Sequence, residues 1–463
     1  MSRAHAVQAL VLGGGISGLV AARDLTNHFE SVLVLEKGDQ LGGSVGSISI
    51  AGENVDSGAE AFAVSRNDAV ELVESLGLTD SLVVPDRADS RIRSGDETYL
   101  IPYGILGIPA DLDDPAVLDA VGSVALAKAR ELDARPWNVT NPISIGGLVR
   151  SRLGDAFVDR LLAPVVGGVH AANPDLLDAD AIAPGLLMTA AAAGSLTAAV
   201  SKLRASAALS RPGGAIMSLR GGMHALVDSL AADLNQRGVS ILLSTAASSA
   251  TCKEGIWRVR TESGQEFTSD VLVVALPSSA AAQLFADDHA LSEPLSQVKT
   301  VDVAIVLLAI RAPELVLAPL GSGVLITANS AIGAKASTHA TVKWAWLGER
   351  LGDLHLLRFS YGRDGHLPTD LARLPEQALS DAKALYGLDS PEVVKVETVL
   401  WRGAMVRPGA GHLEAARSIN VEVSGRRNLA IIGGGLAGNG ITGSIHQAHE
   451  AVSQLSVRYF RDE

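Results

Sequence analysis

Three glycines, Gly13, Gly15 and Gly18, follow the apolar run "QALVL" and open a segment of helical spacing, "ISGLVAARDL". A dinucleotide pyrophosphate needs that order of strand, turn and helix. Glycine lets the backbone turn tightly and approach the phosphates, whose charge then meets the helix N-terminus. Glu36 ends the next apolar run, "SVLVLE", about 20 residues past Gly15, where a carboxylate suits a ribose hydroxyl. An acid there disfavours a 2′-phosphate, so these residues point to FAD or NAD and away from NADP.

The pattern returns near the C-terminus in "NLAIIGGGLAGNGITGSI", through Gly433, Gly435 and Gly438. A second complete nucleotide site would need a helix, a further strand and a second acid after the turn. Beyond Gly443 the chain offers one helical pattern, "SIHQAHEAVSQLSV", and then ends at Glu463. The second motif is therefore half a unit. Its strand is expected to rejoin the first sheet, and its helix to face the same cofactor from the other side.

The elements that must hold these turns are legible from periodicity. A helix is predicted from about Ser17 to His28, a strand ending at Glu36, and a helix from about Asn67 to Gly77 with a glycine stop. From about Arg91 to Pro212 proline turns alternate with Ala/Leu-rich helical patterns, which predicts an inserted helical domain. Strands are predicted again at Val239–Thr245, Ile256–Thr261 and Asp270–Pro277, and a β-rich block from Val301 to Phe359. The fold class predicted is α/β: a discontinuous Rossmann-like FAD-binding domain (1–90, 213–290 and 400–463), an inserted helical domain (91–212) and a β-rich substrate-binding domain (291–399).

Composition narrows the partners. At 463 residues the chain can bury a cofactor between lobes, and 47% hydrophobic against 19% charged residues describes a globular protein. A net charge of −13 argues against nucleic acid or an anionic membrane as an electrostatic partner. One cysteine, Cys252, excludes an internal disulfide and a cysteine-based metal site, and fits a reducing, cytoplasmic setting. A strand beginning near Val7 leaves no room before it for an export signal. The segment Ala181–Ser201 carries no charge, but it is mostly Ala, Gly, Ser and Thr, so a buried or membrane-apposed helix is expected before a spanning one.

The stretch "EKGDQLGGSVGS" adds the pair Gly42 and Gly43 after the acid, an arrangement that resembles FAD-dependent oxidoreductases of the amine oxidase and glutathione reductase type. Five further stretches resemble one family, the protoporphyrinogen and coproporphyrinogen oxidases of haem biosynthesis. They are "VDSGAEAF", "LGIP", "RLLAPVVGGVHAANPDLLDADA", "SLRGGMHALVDSL" and "GHLEAARS", collinear over nearly the whole chain. Within it the sequence is most similar to the bacterial branch that oxidises coproporphyrinogen III.

The resemblance implies FAD contacts at Gly13, Gly14, Gly15, Ile16, Ser17, Gly18, Glu36, Lys37, Ser44, Gly58, Ala59, Glu60, Ala61, Ala247, Trp401, Asn439, Gly440 and Ile441. It implies that Arg66 faces substrate, where a guanidinium suits a propionate, and that His170 lines the substrate cavity. Packing is an equal reading for His170, and a surface arginine for Arg66. The chain departs from the family's usual pattern at Val406, Pro408, Asn439 and Thr442, and in "SGAEAF".

The reaction so implied is a six-electron oxidation of a porphyrinogen with O2 as acceptor and hydrogen peroxide as product, the flavin carrying the chemistry and no side chain nominated as catalyst. Protoporphyrinogen IX as substrate, a flavin amine oxidase, and a non-catalytic flavin protein are the alternatives. His446 and His449 are three apart with no third ligand, so no metal is expected. The expected partners are a tetrapyrrole and O2, with weak peripheral membrane contact and contact with a downstream ferrochelatase compatible with the resemblance.

Overall fold

The computed structural model describes residues 5–64, 66–86, 89–139, 142–206 and 216–461. The N-terminal lobe is built on a sheet with strand order Ser240–Leu242, Val32–Leu35, His5–Leu12, Glu266–Val274, Ile256–Thr261 and Ala247–Lys253. The strand Leu429–Ile431 lies parallel to the second half of Glu266–Val274, with Leu272 opposite Leu429. The end of the chain thus rejoins the first sheet, as its sequence implies. His5–Leu12 is central, parallel to both neighbours, and reads Ala-Leu-Val-Leu where it is buried on both faces.

Two helices cover one face. Ile16–Leu25 buries Leu19, Val20, Ala22 and Leu25, and the C-terminal helix Ile441–Phe460 buries Ile445, Ala448, Val452 and Leu455 in the same core. Their apolar residues recur every three to four positions, one stripe per helix. The first helix starts one residue earlier than predicted and ends at Leu25, three residues short of His28.

The second sheet has the order Glu392–Val406, Thr300–Arg311, His355–Tyr361, Ala336–His339, Gly323–Ile326, Ser90–Ser94 and Glu97–Leu100. Two domain limits therefore shift. Ser90–Ser94 and Glu97–Leu100 belong to this sheet and not to a helical insertion, and Glu392–Val406 carries it past residue 400. Short strands broken by Asp96 and prolines gave no run long enough to announce them.

The helices of the insertion run from Pro115 to Ser206 around a core that includes Leu148, Leu161, Leu162, Leu186, Leu196 and Val200. The Ala-rich tract forms two helices, Leu186–Ala193 and Leu196–Ser206, bent by 117°. Gly194 takes φ 71° at the break, and buried Asp133 accepts from Leu196 N (2.7 Å) and Thr197 N (3.1 Å), capping the second helix. No single helix among the described residues is long and apolar enough to cross a membrane.

Candidate active site

The two glycine runs near the N-terminus are one structure. Gly42 N donates to Gly14 O at 2.8 Å, and Gly15 bridges Gly42. A Cβ on Gly18 would meet Gly13 O at 1.9 Å, and one on Gly13 the carbonyl of Ala275 at 2.5 Å, so these two glycines serve packing of helix on strand. A Cβ on Gly15 would meet no protein atom nearer than 3.9 Å, and Gly15 sits with extended φ −73° just ahead of the first helix. The space beside Gly15 is free of protein atoms, and at a helix N-terminus it fits the pyrophosphate of FAD.

Glu36 follows the strand Val32–Leu35 beside the first glycine turn. Its carboxylate accepts from Gly14 N (2.6 Å) and Gly38 N (2.7 Å), which aims it at the turn. Lys37 beside it is exposed. Ile16, Ser17 and Gly18 form the buried first turn of the helix, and Ala247 begins an edge strand at a bulge.

Ser44, Gly58, Ala59 and Trp401 form a second cluster. Ala59 N donates to Ser44 O (2.9 Å), Trp401 Nε1 donates to Ser57 O (2.9 Å), and a Cβ on Gly58 would overlap Ser44 O at 2.0 Å. Trp401, from the second sheet, thereby seats on the turn of the first lobe. The next residue, Glu60, turns its carboxylate away into an ion cluster with Lys343 Nζ (2.6 Å) and Arg358, whose guanidinium also donates to Gly58 O. Burial works to raise its pKa, but the two cations outweigh that and hold it down at about 2. Glu60 can offer a cofactor its backbone, not its side chain; Ala61 follows in the same turn and is half-buried.

The C-terminal segment closes over this arrangement. The side-chain amide of Asn439 donates to Val406 O (2.8 Å) and accepts from Val406 N (2.7 Å). Gly440 takes φ 148° and leads into Ile441, the buried first residue of the last helix. Thr442 donates its hydroxyl to Ala63 O, next to the "GAEAF" turn. Pro408 O accepts from Asp178 N (2.9 Å), tying in the helical domain. All four departing positions are thus paired, two of them with each other.

His170 ends the helix Ala163–His170, and its Nδ1 lies 3.4 Å from Asn439 Nδ2. Burial, together with Lys335, pushes its pKa down to about 4, so the imidazole is neutral at physiological pH. Arg66 is placed differently. Its guanidinium meets Asp68 (3.2 Å) and His446 (2.8 Å), with His446 Nδ1 2.7 Å from Asp68. The structure does not group Arg66 with His170.

Lys335 and Arg363 escaped the sequence reading. Lys335 is 2% exposed and Arg363 is half-buried beside it, both near the helix that ends in His170. The signal was available: Lys335, in "IGAKASTHA", is the one charged residue between Glu314 and Lys343. His449 contacts Asp24 on the first helix (2.6 Å), so His446 and His449 serve different partners.

Comparison with known proteins agrees with this geometry. The model of the flavin containing amine oxidoreductase family matches residues 16–453. The chain is 30% identical to a coproporphyrinogen III oxidase of Mycobacterium tuberculosis, over 96% of each chain. Among solved structures, a candidate protoporphyrinogen oxidase from Exiguobacterium superposes with a TM-score of 0.85 at 24% identity, covering 99% of both chains. Cyclohexylamine oxidase from Brevibacterium oxydans does so with a TM-score of 0.68 at 16% identity, covering 97% of this chain and 98% of that one. With this match over most of its length, the chain is an FAD-dependent oxidoreductase and belongs to the flavin containing amine oxidoreductase family.

Proposed function

We propose that the protein oxidises coproporphyrinogen III to coproporphyrin III, in three two-electron steps that use three O2 and release three hydrogen peroxide. The observation that carries this reading is the make-up of the site at Asn439. An amine substrate calls for aromatic rings from the C-terminal segment. Here Tyr459 and Phe460 pack instead on Phe29, at the far end of the last helix from Asn439. His170, Val406, Lys335 and Arg363 gather at the near end, a cationic and apolar setting that suits an acidic macrocycle.

FAD supplies the two-electron acceptor when bound, held by the Gly15 cradle, Glu36 and the Trp401 turn. The chain's own residues bind and orient. Asn439 is locked by Val406 and so presents a fixed edge to substrate, and neutral His170 can take part in a hydrogen bond without bringing a charge. No side chain need act as a strong base, because each step moves the macrocycle toward aromaticity. The reading places the enzyme in the cytoplasm, with any peripheral membrane contact made through the bent helix pair and exposed Met188, and its product passing to a ferrochelatase.

Anaerobic mixing of the FAD-loaded enzyme with coproporphyrinogen III, protoporphyrinogen IX or cyclohexylamine, followed by flavin bleaching, ranks the substrates. Fastest bleaching with coproporphyrinogen III is expected. Bleaching by the amine alone would overturn the proposal.

A further inference from the structure

Lys335 is a buried cation without an anion. Only 2% of the residue is exposed, and its ammonium has one contact, Gly167 O at 3.4 Å. The charge that acts on it is another cation, Arg363, whose guanidinium donates to Ile326 O (2.7 Å) and Ala334 O (2.6 Å). No carboxylate among the described residues pairs with Lys335. Asp381 accepts from Gly333 N, Ala334 N and Tyr361 OH, and Asp364 acts on Arg363.

Taking an ammonium from water without a counter-ion is unfavourable, and the carbonyl end of the helix Ala163–His170 offsets only part of that cost. Burial and Arg363 accordingly push the Lys335 pKa down to about 8. The helix surface at Gly167 is open: a Cβ there would meet nothing within 4 Å. The same helix ends in His170, so Gly167, which the ammonium touches, lies one helical turn from His170, whose Nδ1 is 3.4 Å from Asn439 Nδ2.

We propose that Lys335, backed by Arg363, is the anchor for one alkyl carboxylate of the substrate, received against Gly167 at the end of the helix Ala163–His170. This rests on the acidic tetrapyrrole reading above and moves the anchor away from Arg66, whose guanidinium is engaged by Asp68 and His446. An incoming carboxylate supplies the missing counter-ion, so the cost of burying Lys335 becomes binding selectivity.

Titration of the FAD-loaded enzyme with coproporphyrin III and with its tetramethyl ester, which has no free carboxylate, tests the assignment. Lys335→Met, matched in volume, is expected to weaken coproporphyrin III binding roughly tenfold or more and leave the ester unchanged, while Lys335→Arg recovers most of the affinity. Wild-type affinity for coproporphyrin III should also fall as pH rises through about 8, where Lys335 loses its charge; His170 and the substrate's alkyl carboxylates both titrate far below that. That fall needs no variant to fold. Equal affinity in Lys335→Met and wild type, or a flat wild-type profile from pH 7 to 9, overturns the assignment and leaves the substrate reading standing. A wild type that binds neither pigment overturns both.

Discussion

Asn439 and Val406 exchange two hydrogen bonds, side-chain amide to backbone, at 2.7 and 2.8 Å. They join the glycine-rich end of the FAD lobe to the last residue of the longest strand of the second sheet. Replacing Asn439 by Ala leaves Val406 N and O without these partners and should cost about 1–2 kcal/mol. Asn439→Asp should cost more, since a carboxylate cannot donate to Val406 O. Thermal unfolding of the FAD-loaded variants should show Asn439→Asp melting below Asn439→Ala, and both below wild type; variants that melt with wild type would show that the pair does not join the lobes.

The glycines of the first turn separate packing from ligand binding. Gly18→Ala drives a methyl into Gly13 O and should prevent folding, seen as insoluble protein. Gly15→Ala meets no protein atom, so the FAD-free protein should unfold within about 0.5 kcal/mol of wild type. Its FAD affinity should nonetheless drop tenfold or more, because the methyl occupies the phosphate's place. Unchanged flavin affinity in Gly15→Ala would remove the pyrophosphate from this turn.

Glu60 should matter to the fold and not to flavin chemistry. Glu60→Gln leaves Lys343 and Arg358 buried without their anion, at a cost of about 3–5 kcal/mol. The folded pKa lies near 2, below its ordinary value, so the stabilisation is complete above about pH 4.5 and disappears as pH falls through about 2. Denaturant unfolding between pH 2 and 6 should show a steeper acid loss in wild type than in the variant.

His449 gives a dependence of opposite sign. Its hydrogen bond to Asp24, on the first helix, raises its pKa above the usual 6.5 against the opposing effect of burial. The contribution is present below pH 6.5 and lost as pH rises through the raised value. His449→Gln should therefore lower the melting temperature at pH 6 and bring little change at pH 9. An equal drop at both would place the effect in packing.

The sequence alone determined the cofactor lobe. Gly13, Gly15, Gly18 and Glu36 are local signals, because a tight turn and an acid at a strand end are set by residues near in the chain, and the structure assembles them as the spacing requires. Tertiary structure decided what is built from distant residues. Glu60 meets Lys343 and Arg358 nearly 300 positions away, Arg66 is taken by His446, and Asn439 finds Val406 across the lobe boundary. Lys335 reads as an ordinary charge in sequence. Only the packing of the helix Ala163–His170 over the second sheet removes its water, and desolvation, which no local pattern encodes, gives it an anion to seek.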